Sequence, residues 1–197
     1  MKKRNRSILV IVVGTVTMYQ FIKHAYYWTI LDVFIDIILG IVTIACFAWV
    51  VYKDLKEYKS TTSESIYKPG VIVGIFIISF ITAEIILSFR DNSPVVLTAD
   101  AKDDLSGASI DFRKDGTYKL SSYSIFGADF FRGNYTIKDS IIALDKSDID
   151  GIIKSNRLVI RTGNYGRDKK EIYQLDAQSN VLTNAPVFFI SNKQASR

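Results

Sequence analysis

Apolar residues are arranged in two ways along this chain. Up to Phe89 they come in long runs; from Arg90 onward they are short and alternate with polar ones. Residues 7–22 are uncharged behind the basic flank MKKRNR, residues 28–52 are interrupted only by Asp32 and Asp36, and residues 71–89 contain one charge, Glu84. Each run approaches the roughly 20 residues a helix needs to cross a hydrocarbon core of about 30 Å. Three buried helices of a soluble protein would leave too little polar surface in 89 residues to cover them. The pattern therefore predicts membrane spans over about 7–22, 28–52 and 71–89. The first could be a secretory leader, but MYQFIKHAYYW has no small-residue cleavage site, so it is read as a retained anchor.

From 91 to 197 the alternation predicts strands. In SIDFRKDGTYKL, a three-residue loop Lys114-Asp115-Gly116 with Gly116 left-handed sets Phe112 against Tyr118, Ile110 against Leu120 and Asp111 against Lys119. A two-residue Asp-Gly loop would mix apolar and charged residues on each face, so period-two burial selects the longer loop. In FRGNYTIKDSIIAL a Lys138-Asp139 turn puts Phe131, Tyr135 and Ile137 on one face with Ile142 and Leu144. Further strands are expected at RLVIRT, EIYQLDA and APVFFISN, with NYGRDKK as a turn between the first two. The fold class is thus membrane α plus all-β: three transmembrane helices (1–90), then a small antiparallel β-barrel or curved β-sheet (91–197).

The run DFRKDGTYKLSSYSIFGADFFRGNYTIKDSIIALDK resembles the "dG-Y … G-Y-x-I-x-D-x-I-x-L" pattern of lipocalin-like β domains in uncharacterised bacterial envelope proteins. The resemblance covers residues 106 to 162 and rests on turn and core positions, so it implies a fold rather than an activity. The G-x-W of the lipocalin family proper is missing, since both tryptophans, Trp28 and Trp49, lie in the helical part. About 105 residues is also short for eight strands of ordinary length around a ligand.

Charge sets an expected orientation. Lys2, Lys3, Arg4 and Arg6 precede the first span and Lys53, Lys56, Lys59 and Lys68 lie between the second and third, against Lys23, Arg90 and Lys102 on the other side. The excess of basic residues places the N-terminus and the 53–70 loop in the cytoplasm and the β domain outside a bacterial cytoplasmic (inner) membrane, in the periplasmic position. The net charge of +5 is spread over both halves. Without a concentrated basic stripe, no nucleic-acid partner is expected.

Catalytic signatures are missing. The chain has one Cys, Cys46, and one His, His24, so nothing after Phe89 can build a Ser/His/Asp or Cys/His site. There is no phosphate-cradling loop, HExxH or CxxC. Asp103, Asp104, Asp111, Asp115, Asp129, Asp148 and Asp150 are dispersed near turns, where Asp is favoured for backbone hydrogen bonding. No enzyme, cofactor or metal is expected.

The candidate chemistry is the set of acids in the spans. Asp32 and Asp36 would lie about 6 and 12 Å below the outer interface and Glu84 about 9 Å, with His24 above them. Asp32, Asp36, Gly40 and Thr43 form one helical stripe that Glu84 and Ser88 could face. The cluster Asp32, Asp36, Glu84 and His24 is an ion or proton site, structural bonding with Lys23 or Arg90 reaching inward, or an interface with another membrane subunit. On the β domain, the aromatic stretch SYSIFGADFF marks Tyr123, Phe126 and Phe130 as an interaction surface, or as core. The expected function is a membrane-anchored binding or interaction module whose extracytoplasmic β domain recognises a protein or envelope ligand. An immunity-type protein blocking a toxin at the envelope is one version. The alternative is a small membrane component with an ion- or proton-binding carboxylate site. Expected partners are the lipid bilayer and that protein or envelope ligand.

Overall fold

Helices α1 (Lys3–Lys23), α2 (Ile30–Ser60) and α3 (Pro69–Arg90) are all long and apolar enough to cross a membrane. The computed structural model describes residues 3–60, 69–163 and 170–191, and the chain divides into two units after Asp91. A tight turn and a three-residue extended stretch, Tyr27–Thr29, join α1 to α2.

Each helix turns a narrow stripe inward. Val10, Val50 and Val73 are buried where the three meet, flanked by Phe47, Val51, Ile72 and Phe76. Gly14 makes room for this contact, because a Cβ there would sit 2.8 Å from the Phe76 ring. The Thr17 and Thr43 hydroxyls, 2.7 Å apart, tie α1 to α2, and Phe21 meets Phe80 edge-on between α1 and α3. Small and hydroxyl-bearing residues at such contacts suit helices that pack in lipid.

The second helix overruns its expected end at Tyr52. Residues 53–60 continue it as two more turns, so only residues 61–68 remain as connector, and these lie outside the described residues. Good helix formers (Lys, Leu, Glu) fill the extension. Two of its acids are also engaged by α1: the Arg6 guanidinium, 2% exposed, lies 3.2 Å from Asp54 and donates to both Glu57 oxygens at 2.5 and 2.7 Å. Asp54 Oδ2 in turn accepts from Gly70 N–H at 2.8 Å, so it caps α3, which opens on Pro69 in the favoured first position.

The second unit is a closed eight-stranded antiparallel barrel. Its strands are β1 (Val95–Lys102), β2 (Ser106–Arg113), β3 (Thr117–Ser124), β4 (Gly127–Lys138), β5 (Ile141–Leu144), β6 (Arg157–Thr162), β7 (Lys170–Gln174) and β8 (Phe188–Ser191). Each pairs with its neighbours in sequence, and β8 pairs with β1 to close the ring. Closure in so few residues is achieved because β5, β7 and β8 have only four or five residues each. Every strand sends side chains inward, among them Ala99, Ile110, Phe112, Leu120, Phe131, Leu144, Leu158, Ile172 and Phe188. Fully burying a Leu, Ile or Phe contributes roughly 1.5–3 kcal/mol, so this interior is the unit's main source of stability.

The first expected hairpin has the expected register: Phe112 faces Tyr118, Ile110 faces Leu120 and Asp111 faces Lys119, with Gly116 at φ +84°. The second differs by one residue. Its turn is Asp139-Ser140, not Lys138-Asp139, and Tyr135 pairs with Leu144 and Ile137 with Ile142. Asp139 takes the left-handed conformation (φ +57°), which Asp tolerates better than Lys. The faces are kept by the slip, but Ile137 ends at the rim, 52% exposed. The expected NYGRDKK turn lies, up to residue 169, outside the described residues.

Between β5 and β6 the chain makes a loop that inserts Ile149 and Ile153 into the core. Gln174, 1% exposed, holds it: its Oε1 accepts from Lys154 and Ser155 N–H at 2.7 and 3.3 Å, and its Nε2 donates to Ile152 O at 2.7 Å. A buried amide needs this many partners to offset its lost hydration.

Candidate functional site

Asp32 lies in the first turn of α2, two residues inside its first residue, Ile30. There it completes the carboxylate half of a capping box: Oδ2 accepts from Thr29 N–H at 2.8 Å and from the Thr29 hydroxyl at 2.9 Å. Oδ1 accepts from Gln20 at 2.9 Å and from Lys23 Nζ at 2.5 Å, both on α1. The carboxylate is 4% exposed and its neighbours fill both oxygens. A negative charge at a helix N-terminus is favourable in its own right.

The other acids are placed differently. Asp36, one turn further on, lies 3.1 Å from His24 Nε2, and both side chains are about one-third exposed. Glu84 joins neither: it is exposed on α3, one turn beyond Phe80. The stripe of Asp32, Asp36 and Thr43 therefore meets α1, through Gln20, Lys23, His24 and Thr17, rather than Glu84 and Ser88. Gly40 has open space before it. Among the described residues no three His, Cys, Asp or Glu come together as metal ligands. Arg90 reaches back to Ala25 O at 3.3 Å and lies over the Tyr26 ring.

The aromatic stretch of the barrel forms the β3–β4 hairpin, whose tip is Ile125-Phe126. Phe126 projects, 66% exposed. Tyr123 instead lies across Gly107 on the neighbouring strand, where a Cβ would meet its ring and hydroxyl. Phe130 is half-buried under the Lys119 ammonium, 4.6 Å from its centroid, with the Arg132 guanidinium at 6.0 Å. Sequence reasoning missed two companions of Phe126: Leu105 and Ile125 are 69% and 60% exposed. Because Ser106 pairs with Ser124, the β1–β2 turn bearing Leu105 emerges beside Ile125. Three large apolar side chains thus crown two adjacent hairpins.

Of the barrel acids expected near turns, Asp103, Asp104, Asp115, Asp148 and Asp150 lie there, whereas Asp111 and Asp129 lie inside strands, paired with Lys119 and Ser122. Asp115 Oδ1 accepts from the Thr117 hydroxyl at 2.7 Å and its N–H at 3.0 Å, and these donors hold its carboxyl below the usual range. Asp111 accepts from Thr98, Asp103 from Asp104 N–H, and Asp148 and Asp150 occupy left-handed positions. Glu171 is a buried carboxylate that the pattern did not reveal; it accepts from the Tyr173 hydroxyl. Compared with protein-family models, curated proteins and solved structures, the chain matches none.

Proposed function

We propose that this chain is a membrane-anchored binding module whose β-barrel recognises a protein or envelope ligand through the Leu105, Ile125 and Phe126 tip. That exposed apolar tip carries the reading. Contiguous apolar groups are costly to leave in water and mark contact surfaces in soluble domains. The barrel's own side chains occupy its interior, so recognition falls to its outside. The eight antiparallel strands are consistent with the lipocalin-like fold that the sequence resembles. In this reading the N-terminus is cytoplasmic and the barrel stands outside a bacterial inner membrane, as the basic residues near the span ends argue. An immunity-type role, blocking a toxin at the envelope, is one form of it.

The test uses the full chain in its own membrane, with a photocrosslinking residue in place of Ile125. A discrete protein or envelope adduct is expected, lost when Leu105→Ser and Phe126→Ser are combined and kept in Asp36→Asn. The opposite result, loss with Asp36→Asn alone, would instead support a function carried by the helix bundle. A reporter fused after Arg197 should be active outside the cytoplasm; activity inside would overturn the orientation.

A further inference from the structure

Among the described residues, every acid of the helical unit but one lies beside a basic side chain of that unit. Arg6 is held with Asp54 and Glu57, Asp32 with Lys23, Gln20 and Thr29, Asp36 with His24, and Arg90 with Ala25 O and Asp91. Glu84 is exposed, and among the described residues no hydrogen bond or ion pair engages it. It lies six residues before Arg90, about 9 Å from the end of α3. Around it the helix surface is apolar: Ile77, Ile81, Ile85 and Ile86 are 49%, 56%, 49% and 62% exposed. Ser88, also exposed, follows one turn on along the same side. If α3 crosses a bilayer, a carboxylate in such a setting is costly unless another group meets it.

Charge complementarity decides what that group is. In a second copy inserted in the same direction the cations near this depth are already engaged in their own chain, Arg90 by Ala25 O, the Tyr26 ring and Asp91, and His24 by Asp36. Lys23 is committed to Asp32, and Lys53, Lys56 and Lys59 lie on the stretch of α2 whose Asp54 caps the opposite end of α3. We infer that the Glu84 face of α3 packs against a transmembrane helix of a different protein, one that brings a Lys or Arg side chain to the carboxylate. The flanking isoleucines supply the packing surface, and a buried, hydrogen-bonded pair of this kind sets register and partner choice more than raw affinity.

The test again uses the full chain in its native membrane, now with a photocrosslinking residue in place of Ile85. The expected adduct contains a second, different membrane protein, and Glu84→Gln lowers its yield at least about tenfold. Glu84→Lys abolishes it, and changing the partner's basic residue to Glu restores it in that background. An adduct of twice the chain's mass would overturn the inference in favour of self-association. Adducts with lipid alone, or a yield indifferent to Glu84→Gln, would overturn it too. Glu84 is exposed, so these variants leave the bundle's own contacts intact, and an unchanged melting midpoint verifies this.

Discussion

The start of α2 and the last third of α3 each carry a carboxylate inside an apolar helix, and the two have opposite surroundings. Asp32 is buried, with four donors around its two oxygens; Glu84 is exposed among isoleucines. Hydropathy does not distinguish them, because both interrupt runs that are otherwise apolar. What differs is position. Asp32 stands where a helix N-terminus leaves N–H groups without partners, and on the stripe that meets α1. Glu84 stands past the middle of α3, where the backbone needs nothing from it, and its side chain is exposed. An acid in a candidate span is therefore internal glue when its place on the helix supplies donors, and it looks outward when it does not.

The comparison can be pressed hardest at the other satisfied charge. Arg6→Met would leave Asp54 and Glu57 without their buried cation, and Asp54 also caps α3. Removing one partner of a buried pair costs about 3 kcal/mol or more, so the thermal midpoint of the full chain in detergent micelles should drop clearly. An unchanged midpoint would mean that these internal pairs are not what holds the bundle. Next in size is Asp32→Ala, which removes all four bonds and strands the Lys23 ammonium. Thr29→Val removes only the hydroxyl bond, one of four, and should lower the same midpoint by roughly a quarter as much. Equal effects would place the stabilisation in the helix start itself and not in the link to α1.

Which parts of this were legible in the sequence follows from the range of each interaction. The Lys114-Asp115-Gly116 loop was readable because both strands and the turn lie within twelve residues and only one register keeps the faces apart. The β4–β5 turn was not fully readable: a slip of its position by one residue keeps the same faces, so only the backbone preference of Asp139 separates the two. Strand β1 went unrecognised because its inward positions include Ala99 and Ala101, which give a weak apolar signal. The β3–β4 turn was hidden by its own residues, since Ile125 and Phe126 read as strand and not as turn. Of the candidate residues, Phe126 was found, while its neighbour Leu105 depended on the pairing of Ser106 with Ser124. The T-x-x-D spacing at 29–32 went unread as a helix start because it lies inside an apolar run. The Arg6 pairs join residues 48 and 51 apart, and no local pattern encodes them.

The smallest expected effect is the most discriminating. For the purified chain in detergent, Glu84→Gln should change stability by no more than about 0.5 kcal/mol, the ordinary range for an exposed position away from caps and pairs. The amide keeps the volume and hydrogen-bonding capacity of the side chain and removes only its charge, so packing cannot account for any change. A loss comparable to that of Asp32→Ala would mean that Glu84 has a partner within its own chain, and the contrast between α2 and α3 would collapse. A neutral result beside a large loss in Asp32→Ala separates the two roles: one carboxylate assembles the bundle, and the other is available to a neighbour.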